Sequence, residues 1–111
     1  MKTQIQYLHF DADKNLQDLI QEKIDQLYKI YNRIESCVVI LKLEKSDTNK
    51  NKVVEINMNI PGKRLFAKNH SDKFEVTVDM VIDDIKKQLN MHKNKTADRN
   101  SLGLEILQLL F

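Results

Sequence analysis

Between Ile85 and Lys95 the chain carries Lys86, Lys87, Lys93 and Lys95 together with His92, and no acidic residue. These cations share one predicted helix with an apolar stripe, so they stand on a rigid support. A fixed row of cations suits a polyanion better than a small substrate. The preceding residues of the same segment are acidic: Asp72, Glu75, Asp79, Asp83 and Asp84. Acids near a helix N-terminus and cations near its C-terminus each stabilise a helix by about 0.3–1 kcal/mol, which explains part of that order. The dipole is satisfied by one or two cations, and here there are four. Dipole stabilisation and a functional patch both stay open at the level of pattern.

Other chemistries find less support. His9, His70 and His92 lie at the ends of three different predicted elements, with no His-x-x-His spacing and no paired cysteine, so no metal is expected. Asp79, Asp83 and Asp84 fall on or near a solvated helix face and read as solubilising charges rather than catalytic acids. Gly62 and Gly103 are the only glycines, which leaves no phosphate loop and no Gly-x-Ser-x-Gly elbow. No cofactor, small-molecule substrate or enzymatic activity is therefore expected.

The elements that must position the lysines follow from periodicity. Lys2 to Phe10 alternates as a strand, and Asp11-Ala12-Asp13 offers capping carboxylates for a helix beginning near Asp13. Leu16, Leu19, Ile20, Ile24, Leu27, Ile30, Tyr31 and Ile34 then keep helical steps, with Glu22, Gln26, Lys29 and Arg33 on the polar face. Lys23 falls inside the apolar arc, either as a snorkelling side chain or as a ligand contact. Cys37 to Lys45 and Lys52 to Ile60 read as a hairpin around the polar loop Ser46–Asn51. The second strand places Val54, Ile56, Met58 and Ile60 on one face and Glu55, Asn57 and Asn59 on the other, so helices cover one side of the sheet. Pro61-Gly62 marks a turn into a strand from Lys63 to Asn69, with Arg64, Phe66 and Lys68 on its second face. Ser71-Asp72 caps the second helix, whose stripe is Phe74, Val78, Val81, Ile82, Ile85 and Leu89.

With 111 residues, an apolar share of 41%, a charged share of 31% and a net charge of +2, the chain has the size and balance of one globular domain. The single cysteine, Cys37, permits no intramolecular disulfide and reads as a buried, inert thiol in a reducing compartment. No apolar signal core and no run of about 18 apolar residues is present, so a cytoplasmic protein without a membrane segment is expected. From Thr96 the character changes. Leu102, Leu104, Ile106, Leu107, Leu109, Leu110 and Phe111 form an apolar ending that reads as a docking helix, a dimer contact or a sequence not native to the domain.

Three blocks carry a resemblance: Leu27-Tyr28-Lys29-Ile30-Tyr31-Asn32-Arg33-Ile34, Val39-Ile40-Leu41-Lys42-Leu43-Glu44-Lys45, and Val78-Asp79 leading to Lys87-Gln88-Leu89 and His92-Lys93-Asn94-Lys95. Over residues 1–95 the chain resembles the short ribosome hibernation promoting factor and ribosome-associated translation inhibitor family. That family shows an Ile-Asp step in mid-helix, Arg or Lys before Gln-Leu, and a lysine-rich end. Glu75 stands where many members carry tyrosine, and Met91 where lysine is common, which leaves the patch one charge poorer.

The resemblance implies an α+β fold, β-α-β-β-β-α, with a four-stranded sheet and two parallel helices packed on one face, similar to double-stranded RNA-binding domains. It implies a ribosome-binding domain over residues 1–95 that occupies the messenger and transfer RNA channel of the small ribosomal subunit and silences idle ribosomes by occlusion. Long members add a domain that joins two ribosomes. The residues after Lys95 are too few for it, so the chain looks like a short form, with a helper protein for ribosome dimers as a further implied partner. Lysines and arginines on two rigid helices neutralise several phosphates at once without reading bases. The expected RNA contacts are Lys23, Lys29, Arg33, Lys86, Lys87, His92, Lys93 and Lys95. Arg64, Phe66 and Lys68 form a second candidate RNA surface, or an ordinary edge strand with gatekeeping charges. The alternatives are a free-standing double-stranded RNA-binding module and a protein-interaction module that uses the apolar tail.

Overall fold

The computed structural model describes residues 2–45 and 49–110, with side chains through Lys93 in the last helix. In chain order the elements are β1 (Lys2–Leu8), α1 (Lys14–Ile30), β2 (Ser36–Leu43), β3 (Lys52–Ile60), β4 (Lys63–Ser71) and α2 (Phe74–Leu110). Part of the expected loop, residues 46–48, and the side chains of the apolar tail lie outside the described residues.

The strands form one sheet in the order β1-β2-β3-β4. β1 and β2 are parallel, and β3 is antiparallel to both β2 and β4. β1 and β4 therefore point the same way. Each is followed by a helix that returns across the same sheet face, so α1 and α2 run parallel to each other. Both helix C-termini point toward one end of the sheet.

The register separates the two faces. Val39 pairs with Ile56, and Ile56 with Ala67. These residues join Cys37, Leu41, Val54, Met58, Ile60 and Leu65 as the floor of the core. Leu16, Ile20, Ile24 and Leu27 of α1, and Val78, Val81, Ile82, Ile85 and Leu89 of α2, cover that floor. At the N-terminal ends of the helices Phe10 stacks on Phe74, with ring centroids 4.3 Å apart.

Element ends differ from the periodicity in three places. β1 stops at Leu8 rather than Phe10, because His9 takes a positive φ of 68° that breaks the extended backbone. α1 stops at Ile30 rather than continuing to Ile34. Tyr31 turns extended (φ −142°, ψ 106°) while its N–H still donates to the Leu27 carbonyl. Ile34 is buried all the same, from the connection into β2. α2 does not end near Lys95 but runs to Leu110, since residues 96–102 hold neither proline nor glycine and an established helix extends at little cost. The dipole effect is confined to the last turn of a helix, and that turn holds no basic residue.

Candidate nucleic-acid interface

Asp13 starts α1 by accepting the Leu16 N–H at 2.8 Å, as an N-cap carboxylate does. The helix then carries Lys29 in its last turn, exposed. The extended backbone at Tyr31 releases Asn32 and Arg33 to the surface at the same pole.

α2 begins on a pair of hydroxyls. The Thr77 side chain is fully buried. Its Oγ1 lies 3.0 Å from the carbonyls of Lys52 and Lys73 and 2.6 Å from Ser71 Oγ. This clamp fixes the helix to the start of β3, and the buried stripe aligns the rest. Asp79 marks the flank of α2 that faces α1, because its carboxylate meets the Lys23 amine at 3.4 Å. Lys86 and Lys93 follow Asp79 at successive seven-residue steps, close to two helical turns each, and so continue the same flank. Lys87 and Lys93 are exposed, and Lys86 is half-buried.

The two helices meet at the basic pole. The His92 ring stands edge-on to Tyr31, with centroids 6.0 Å apart and planes at 82°. This contact brings the end of α1 against the turn of α2 that carries His92 and Lys93. Lys29 and Arg33 flank Tyr31 on one side of this contact and Lys93 follows His92 on the other, while Lys86 and Lys87 lie about two turns earlier on α2. The Lys95 side chain lies outside the described residues. Lys23 is set apart from this group, its charge engaged by Asp79 nearer the middle of the helices.

The other expected surface is elsewhere. Arg64, Phe66 and Lys68 occupy the sheet face that carries no helix, with Phe66 50% exposed. Arg64 Nε donates to Asn59 Oδ1 at 3.2 Å, and Lys68 pairs with Glu55 at 3.3 Å. Gln88 of α2 reaches this strand, donating to the Phe66 carbonyl at 2.8 Å and to Asp84 Oδ1 at 3.2 Å. Tyr31, Thr77 and Gln88 position the site, and the sequence reading assigned none of them that role. An aromatic residue at the end of the first helix, level with a histidine on the second, was the available signal for Tyr31.

Several acidic residues lie on the outer side of α1. Asp18, Glu22 and Asp25, together with Gln21, Gln26 and Lys29, line an open depression of about 370 Å³ on the outer side of α1, walled by that helix alone. Among the described residues, no three His, Cys, Asp or Glu side chains are grouped to hold a metal. No helix among them is long and apolar enough to cross a membrane.

The family described as sigma 54 modulation protein / S30EA ribosomal protein matches residues 3–97. The chain is 29% identical over 99 residues to a ribosome hibernation promoting factor of Azotobacter vinelandii, covering 89% of each. It is 27% identical to the factor of that name in Pseudomonas putida, covering 86% of this chain and 89% of the relative. A ribosomal subunit interface protein from Coxiella burnetii superposes with a TM-score of 0.75 at 26% identity, covering 85% of this chain and 99% of that one. The Protein Y N-terminal domain of Thermus thermophilus shares the fold, with a TM-score of 0.68 at 16% identity over 80% of this chain and 94% of that domain. With a β-α-β-β-β-α sheet, two parallel helices on one face and a match that spans most of its length, the chain belongs to the sigma 54 modulation protein / S30EA ribosomal protein family.

Proposed function

We propose that this protein is a cytoplasmic ribosome hibernation factor. It binds the small ribosomal subunit across the channel for messenger and transfer RNA and blocks translation in stressed or stationary cells. It acts by occupancy rather than by catalysis. The carrying observation is the Tyr31–His92 contact, which brings the α1 end that carries Lys29 and Arg33 against the stretch of α2 that carries Lys86, His92 and Lys93. Ribosomal RNA presents a curved wall of phosphates, and a rigid two-helix pole neutralises several of them together, releasing their condensed counterions. The acidic surface of α1 is repelled from the same wall, so the charge distribution orients the protein as well as attracting it. The relatives named as ribosome hibernation promoting factors support this reading.

The test is co-sedimentation with purified small subunits on sucrose gradients at low salt. The parent protein is expected in the subunit fractions. A variant with glutamate at Lys86, Lys87, Lys93 and Lys95 is expected at the top of the gradient, and unchanged sedimentation would sink the assignment of this pole. A plain RNA duplex bound as tightly as the subunits would point instead to a free-standing duplex-binding module.

A further inference from the structure

The helix-free side of the sheet is a second surface, built differently from the helical pole. Phe66 lies on its edge strand, half exposed, and its ring takes no part in the core. Arg64 and Lys68 stand two residues to either side on the same face, each about 7 Å along the strand. Neighbours on β3 hold both in place: Asn59 accepts from Arg64, and Glu55 pairs with Lys68. Asn57 lies directly across from Phe66, and Val38 directly across from Asn57. An aromatic face, a side-chain amide and an apolar floor therefore follow one another across the sheet between two cations. Among the strand residues of this face Lys2, Lys42, Arg64 and Lys68 are cationic and Glu55 alone is acidic, with Glu44 just beyond β2 paired to Lys42.

From this juxtaposition we infer that the open sheet face binds a short single-stranded RNA segment, one base stacked on Phe66 and the flanking phosphates held by Arg64 and Lys68. A stacking platform with flanking cations is the recurring solution for single strands, because every base offers a π-face and the backbone supplies the charge. A duplex keeps its base faces stacked inside and cannot use the ring. A second copy of the same cationic face is repelled. Asn57, facing the stacked base, is placed to donate to its edge. This surface is separate from the helical pole and stands or falls without it.

The chain has no tryptophan, so Phe66→Trp introduces a unique fluorophore at the proposed stacking position. Titration of that variant with an oligouridine octamer at low salt is expected to quench the indole emission saturably. In parallel, fluorescence anisotropy of a labelled octamer on the parent protein is expected to show binding that Phe66→Ala weakens by about tenfold and that Phe66→Trp retains. The ring lies outside the core, so both variants fold, as circular dichroism verifies. Absent quenching of Phe66→Trp, or equal affinity of Phe66→Ala and parent, would each overturn the proposal.

Discussion

The Lys23 ammonium lies 3.4 Å from the Asp79 carboxylate and joins the facing flanks of α1 and α2. The two side chains keep 27% and 58% of their surface exposed, so water screens the pair and its worth is at most about 1 kcal/mol. Lys23→Met keeps the packed stem and is expected to change the unfolding free energy in urea by less than about 0.5 kcal/mol. Asp79→Asn releases the Lys23 charge and removes an anion from the flank that carries Lys86 and Lys93. It is expected to tighten association with small subunits by about two- to threefold at low salt. Weaker association of Asp79→Asn would show that the ion pair orients the helices instead.

The salt dependence of binding measures how many cations at the helical pole touch phosphate. Glutamine at Lys86, Lys87 or Lys93 is expected to lower the slope of log affinity against log salt by about 1 for each true contact. Met91 is 71% exposed on the same helix. Met91→Lys is expected to steepen the slope by about 1 if it reaches the RNA. Equilibrium binding between about 50 and 200 mM salt reads both effects.

Thr77 anchors α2 with a hydroxyl that no solvent reaches. Thr77→Val conserves shape but takes away the proton shared with the Lys52 and Lys73 carbonyls and the partner of Ser71. A loss of about 1–3 kcal/mol is expected in urea unfolding, with Thr77→Ser recovering most of it. A neutral Thr77→Val would show that the helix start is held by apolar packing alone.

Burial in the floor of the core pushes the Cys37 thiol up to about 11 from an ordinary value of 9.0. Because the folded state resists forming the thiolate, stability from this group is complete below the unfolded value. It is lost as pH rises through the window from about 9 to about 11. The loss is on the order of 3 kcal/mol. Cys37→Ala is expected to flatten the high-pH limb of the stability profile, after allowance for its own cavity cost. In the parent protein, iodoacetamide at pH 8 is expected to label Cys37 only as fast as the chain unfolds.

Much of the architecture was legible in the chain. Strand periodicity in Val54–Ile60, helical steps from Leu16 to Leu27 and from Phe74 to Leu89, and the Pro61-Gly62 turn each follow from local rules that do not depend on distant residues. Gly62 takes a φ of 76° there, the positive value that a type II turn requires at its third residue. The cations Lys86, Lys87, His92 and Lys93 were equally legible as a group, since one helix carries them. Element ends were less so. Nothing local announces that His9 turns left-handed, that Tyr31 leaves the helix, or that α2 runs on past Lys95.

By itself, the sequence determined which faces are apolar, where the cations lie along each element, and which chemistries lack their residues. Tertiary structure alone decided which parts of the two helices lie against each other. Parallel strands at β1 and β2, with β4 returned to the same direction, make the helices parallel and put Tyr31, at the end of α1, against His92. The Lys23 amine is drawn instead to Asp79, and Phe66 is left facing outward. These are pairings between residues 56 or more positions apart or between opposite sheet faces, and a local period carries no information about them.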